Sequence, residues 1–152
     1  MPEDLEICSS NSIRLEVPEA QLDGVHDAID RCLDNLLSQQ EFLNYMQQGS
    51  AFVPERAINF RIGSTLATAT PDLVFRTSRG GSAVIDWKIA ASETSDYSPQ
   101  LRVYALALAR VRGMSPEDIA RLELFEVNLL RNEIHYEVAS PEVVEETEDF
   151  VF

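Results

Sequence analysis

The chain has 152 residues, 45% hydrophobic and 25% charged, the proportions expected of one soluble globular domain spanning 1–152. Twelve basic against twenty-six acidic residues leave a formal net charge of −14, a surface unsuited to tight non-specific binding of nucleic acid, with room only for a local cationic site. No apolar run approaches the ~20 residues of a membrane span, the acidic start MPEDLEICSS is unlike a signal peptide, and Cys8 and Cys32 make neither a disulfide framework nor a metal-ligand set. These features point to a reducing, cytoplasmic setting with no membrane partner.

In chain order, Ile13, Leu15 and Val17 alternate with polar neighbours as in a short edge strand. From Glu19 the period becomes helical: Leu22, Val25, Ile29, Cys32, Leu33, Leu36 and Leu37 recur at three- and four-residue steps, an amphipathic helix of about five turns. A shorter helix is expected from Gln40 to Gln48, stopped by Gly49 and Ser50. From Phe52 to Trp87 the chain reads as three strands: INFRI, then TLATATPDLVF as one run, then SAVIDW after the turn SRGG. Ser98-Pro99 is a helix start that leads through LRVYALALARVR to Gly113, and Ser115-Pro116-Glu117-Asp118 starts a second, short helix. Leu122–Leu130 and Ile134–Val138 read as two strands around a turn at Arg131–Glu133. Residues 141–152, PEVVEETEDFVF, form an acidic tail or a closing helix. The fold class is therefore α/β (α+β), with helices packed on a central mixed sheet.

Eleven of the twelve basic residues are arginine, and Lys88 is the only lysine. Drift in a salt-adapted genome accounts for a lone lysine, but its position gives it more weight. If Leu73–Arg76 and Ala83–Asp86 pair as a hairpin around Arg79, Val74 faces Val84 and Asp72 faces Asp86. Lys88, two residues beyond Asp86, leaves the same face. Two carboxylates opposed in a buried sheet repel each other and are costly to desolvate unless a cation lies between them. Oxygen ligands suit Mg²⁺ or Mn²⁺, with water and phosphate completing the shell. The plain alternative is an ordinary hairpin whose acids are solvated and whose lysine snorkels.

The Pro71-Asp72 pair, the hairpin and Ile85-Asp86-Trp87-Lys88 together resemble the motif of the PD-(D/E)XK nuclease superfamily. Asp72 matches the first acid, Asp86 the second and Lys88 the lysine. Twelve residues on, Gln100 and Tyr104 match the Q-x-x-x-Y motif of the RecB-like nuclease branch, and as an i, i+4 pair they share one helix face. The resemblance implies a restriction-endonuclease-like core and a metal-dependent deoxyribonuclease. Asp72, Asp86 and the backbone carbonyl of Trp87 would hold one or two Mg²⁺ or Mn²⁺ ions. Lys88 would position water, and Gln100 and Tyr104 would support the site and a nearby phosphate. His26, in LDGVHDAIDRCL, and Glu55, in VPERAINF, are the upstream metal-ligand candidates; a surface histidine and a solvated strand-edge glutamate are the alternatives. His135 reads as an ordinary half-exposed residue. Arg76, Arg79 and Arg102 are near enough in sequence to form a small basic rim for nucleic acid. No iron–sulfur cluster is expected, because the four-cysteine set of some relatives is missing. Pro71 stands where RecB-like members usually have a glycine pattern before the aspartate.

Two other readings fit parts of the sequence. One is a catalytically inactive nuclease-fold subunit that needs a partner protein to supply DNA affinity. The other is an acidic interaction protein or DNA mimic, supported by the net charge of −14 and the EVVEETED segment.

Overall fold

A computed structural model describes residues 18–91 and 98–151. Cys8 and the strand expected at Ile13–Val17 lie outside the described residues. The chain opens with helices α1 (Glu19–Ser38) and α2 (Gln40–Gln47), parted by Gln39, whose ψ of 58° leaves helical space. Strands β1 (Ser50–Pro54), β2 (Ile58–Ile62), β3 (Thr65–Ala69), β4 (Leu73–Arg76) and β5 (Ser82–Lys88) follow. Then come α3 (Ser98–Arg112), the short α4 (Pro116–Ile119), β6 (Leu122–Asn128), β7 (Glu133–Val138) and α5 (Pro141–Val151). None of the described helices is long and apolar enough to cross a membrane.

Five strands therefore stand where three were expected between α2 and α3. The extra breaks are conformational. Glu55 has a φ of 44° and separates β1 from β2, whereas the turn of β2 into β3 at Gly63, with a φ of 57°, falls at a break already expected. Pro71 has no N–H to donate to a ladder, so the run TLATATPDLVF divides into β3 and β4. The main sheet has the order β1-β4-β5-β6-β7, while β2 and β3 form a separate ribbon. Among the described strands only β5 and β6 pair in parallel, because α3 and α4 carry the chain back between them; the other neighbours are antiparallel. Gly81 closes the β4–β5 turn where a Cβ would overlap the carbonyl oxygen of Arg121, so only glycine lets the hairpin approach that backbone.

The central strands are covered on both faces, which is why β6 is buried along its whole length despite Glu123, Glu126 and Asn128. On one face Phe75, Ala83, Ile85, Phe125 and Val127 meet Phe42 of α2. Tyr45 of α2 adds edge-on contacts to Phe75 and tilted ones to Phe125. On the other face Val74, Val84, Leu122 and Leu124 meet α3. The YALALA stretch of α3 is buried all round, since the β2–β3 ribbon contributes Phe60 and Ile62 and α5 contributes Val144 to the same core. Residues 141–151 are thus a closing helix rather than a free tail, tied to α3 by an Arg110–Glu148 ion pair.

α1 has the expected period but uses it unexpectedly. Its body-facing side is Ala28, Cys32 and Asn35, with the Asn35 amide donating to the Leu129 carbonyl at 2.7 Å. Leu22, Val25, Ile29, Leu33 and Leu37 are all exposed.

Candidate active site

The β4–β5 ladder pairs Leu73 with Ile85 and Arg76 with Ser82, so partner numbers sum to 158 and Asp72 comes level with Asp86 at the ladder's end. Alternate residues of β5 take opposite faces. Ala83, Ile85 and Trp87 turn to α2, while Val84, Asp86 and Lys88 turn to α3. The backbone alternates as well. The Lys88 carbonyl accepts from Leu129 N–H at 2.9 Å, on the β6 side, so the N–H and carbonyl of Trp87 are directed toward β4. β4 begins only at Leu73, and the Asp72 carboxylate takes the place of a ladder partner: its Oδ2 accepts from Trp87 N–H at 2.7 Å. Asp72 and the Trp87 carbonyl therefore come to one side of β5, beside Asp86.

On the α3 side the polar groups form a closed circuit. The Lys88 ammonium lies 2.6 Å from Asp86 Oδ2 and donates to Gln100 Oε1 at 2.7 Å. Gln100 Nε2 donates to the Tyr104 hydroxyl at 2.7 Å, and that hydroxyl reaches Asp86 Oδ1 at 3.5 Å, a weak closing contact. An ammonium has no lone pair, which sets the Gln100 amide with its oxygen toward Lys88 and its nitrogen toward Tyr104. The i, i+4 spacing on α3 is what lets both side chains meet β5.

The electrostatics of Asp86 are those of a carboxylate short of positive charge. It is 3% exposed. Burial pushes its carboxyl above the ordinary value and the Asp72 charge adds to this, while Lys88 pulls it back down. Its Oδ2 is buried and has no directed hydrogen bond, although the Lys88 nitrogen is in contact range. Burial also raises the Tyr104 hydroxyl, followed by the charge of Asp86, so Tyr104 remains a donor. This all-oxygen surround of Asp72, Asp86 and the Trp87 carbonyl fits a hard divalent cation.

The other candidates are placed differently. The Glu55 N–H donates to the Asp72 carbonyl at 2.9 Å, which puts this exposed residue at the same end of the sheet. His26 is exposed on α1, nine residues or roughly 14 Å of helix before Asn35. Among the described residues no three His, Cys, Asp or Glu side chains gather to hold a metal ion, so neither His26 nor Glu55 completes such a group with Asp72 and Asp86. The expected basic rim is not formed. Arg76 and Arg79 lie at the turn end of the hairpin, some six residues or roughly 20 Å along β5 from Lys88, and Arg102 of α3 sits 4.0 Å from Glu137. An antiparallel hairpin carries residues that are close in sequence to opposite ends of the sheet.

Two neighbours of the site escaped the sequence reading. Glu126 is level with Asp86 in the parallel β5–β6 pair and is 3% exposed; Asn128 is level with Lys88. Asn128 bonds the Ala90 carbonyl at 3.1 Å and accepts from Arg131 N–H at 3.2 Å, which fixes the chain leaving β5. The available signal was three polar residues, Glu123, Glu126 and Asn128, inside an otherwise apolar strand.

A structure titled "Crystal structure of SSO0001" is similar at 16% identity and a TM-score of 0.39, over 88% of this chain and 60% of that one. The chain thus spans less than two thirds of that structure. No curated protein sequence matches. The family model for the PD-(D/E)XK nuclease superfamily matches residues 10–150. With nearly the whole sequence covered, and a mixed five-stranded sheet flanked by helices beneath the matched residues, the chain belongs to the PD-(D/E)XK nuclease superfamily.

Proposed function

We propose that the chain is a metal-dependent deoxyribonuclease of the RecB-like branch, hydrolysing phosphodiester bonds at the site made by Asp72, Asp86, Lys88, Gln100 and Tyr104. The observation that carries this reading is the Lys88 ammonium, held between the buried Asp86 carboxylate and the Gln100 amide oxygen. Asp72, Asp86 and the Trp87 carbonyl would hold Mg²⁺ or Mn²⁺. A cation bound there supplies Lewis-acid polarisation of the phosphoryl oxygen and lowers the pKa of water.

The residues of the chain do the rest. As water adds to phosphorus and the bond to the leaving oxygen breaks, negative charge grows on the phosphoryl oxygens. Lys88 meets that charge with a fixed ammonium that needs no reorganisation. Gln100 holds the ammonium in place, and Tyr104 holds Gln100. Asp86 draws the Lys88 ammonium toward the sheet. The net charge of −14 makes unaided DNA binding weak, so a partner protein would supply affinity.

The test is cleavage of labelled single- and double-stranded DNA with Mg²⁺ or Mn²⁺, comparing wild type with Lys88→Ala and Asp86→Ala. Cutting by wild type and loss in both variants is expected; equal activity in all three would overturn the proposal. A second reading, a nuclease-fold subunit without turnover, is favoured by the Asp72–Trp87 contact, which occupies the Asp72 carboxylate internally. Calorimetric titration separates the two. Metal binding with residue-dependent cutting supports the enzyme, and no binding supports the subunit.

A further inference from the structure

The largest unexplained feature lies outside the site, on α1. Leu22, Val25, Ile29, Leu33 and Leu37 recur along one line of the helix and are 42%, 52%, 51%, 53% and 61% exposed. From Leu22 to Leu37 the line runs roughly 22 Å. Exposed apolar residues are ordinary when scattered, but a continuous row on one helix face marks a surface that contacts something.

The flank of this row specifies the partner. Asp23, Asp27, Asp30 and Asp34 recur at steps of four, three and four, and all are exposed. They form a second line beside the apolar one, on the side away from Cys32 and Asn35, which face the body. Arg31 lies opposite the apolar row, an i, i+4 neighbour of Asp27 and an i, i+3 neighbour of Asp34, so one positive charge borders a row of four negative ones. We propose that this face of α1 docks an amphipathic helix of another protein, with leucine-type side chains along its centre and lysine or arginine along the flank that meets the aspartates. The geometry is that of a helix pair with apolar knobs in the seam and opposite charges at its edge.

Charge decides against the two other occupants. A second copy would bring the same four aspartates and another net charge of −14 to the seam. Residues 1–17 carry Glu3, Asp4, Glu6 and Glu16 against Arg14, and so share the sign of the aspartate row. The inference does not rest on the nuclease reading, since no residue of the Lys88 site takes part.

The probe is a helical peptide with leucine in a heptad seam and lysine on its flanks, alongside a scrambled peptide of the same composition. Binding to the full chain is measured by calorimetry at low and physiological salt. Thermal melting and sedimentation velocity are run on the same samples. Wild type is expected to be monomeric, to bind the seam peptide and to bind the scrambled one at least about tenfold more weakly, as expected when one leucine-sized contact or more is lost. Ile29→Ser with Leu33→Ser should abolish binding without lowering Tm. Asp27→Asn with Asp30→Asn should weaken it and flatten its salt dependence. Glu145→Gln with Glu146→Gln, on α5, should change nothing. The proposal is overturned by no binding of the seam peptide, or by equal binding of the scrambled one. A dimer broken by the serine variant would hand the face to a second copy, and a lower Tm in that variant would hand it to the chain itself.

Discussion

Replacing Lys88 with methionine removes the ammonium from Asp86 and keeps most of the apolar stem. At 2.6 Å the pair attracts by about 6 kcal/mol at an effective dielectric of about 20. Two facts reduce the loss: the Lys88 side chain is 28% exposed, and Asp86 can take up a proton once its partner is gone. Breaking buried pairs typically costs about 3–5 kcal/mol, so about 3 kcal/mol is expected at pH 8, or about 6–12 °C in Tm for a domain of this size. The sign with pH follows from the raised Asp86 carboxyl. A folded-state pKa above its ordinary 3.8 means the folded chain holds the extra proton, so stability falls as pH rises through the folded value. Lys88→Met should raise that value further, and its deficit should therefore be larger at pH 8 than at pH 5. Asp86→Asn with Lys88→Met removes both charges and should recover most of the lost stability while leaving the site inert. Thermal denaturation followed by circular dichroism in chelator at the two pH values measures all three. Wild-type stability for Lys88→Met at pH 8, or no recovery in the double variant, would refute the account of Asp86 as a buried carboxylate sustained by Lys88.

Mn²⁺ in chelator-free buffer should raise the wild-type Tm more at pH 8 than at pH 5, because protons compete for Asp86; at one hundred times Kd the gain is about 2.7 kcal/mol, and an identical shift in Asp86→Asn would place the ion elsewhere. On the opposite face, Tyr45 and Tyr136 donate to the buried Glu123 carboxylate at 2.7 and 3.0 Å. Burial, with Glu123 second, pushes both hydroxyls up, so stability should hold below about pH 10 and fall above it. Tyr45→Phe should cost about 1–3 kcal/mol at neutral pH and shallow that alkaline slope in chemical denaturation. Gly81→Ala forces a Cβ onto the Arg121 carbonyl and should cost about 1–3 kcal/mol; an unchanged urea midpoint would show that the turn can move.

How much was legible in the residues themselves differs by element. The hairpin register, the shared face of Asp86 and Lys88, and the common side of Gln100 and Tyr104 follow from periods of two and of nearly four, which any short stretch displays. The strand count between α2 and α3 was not legible. One residue in left-handed space at Glu55 and one proline in TLATATPDLVF divide runs that look continuous by hydrophobicity alone. The acidic segment after Ser140 hid its role for a similar reason: Val144 and Thr147 are buried by their contact with the rest of the fold, and nothing local marks them as such.

The sequence by itself determined that a carboxylate pair and a lone lysine would end up on one face of a buried hairpin, because backbone geometry makes alternate strand residues share a face. Only the tertiary structure decided what surrounds them. The docking of α3 closes the circuit from Lys88 through Gln100 and Tyr104 to Asp86, and the parallel pairing of β5 with β6 sets Glu126 beside Asp86. It also sends Arg76 and Arg79 to the far end of the sheet and leaves the apolar row of α1 facing outward. These are outcomes of long-range packing, in which the register of one element against another depends on side chains far apart in the chain.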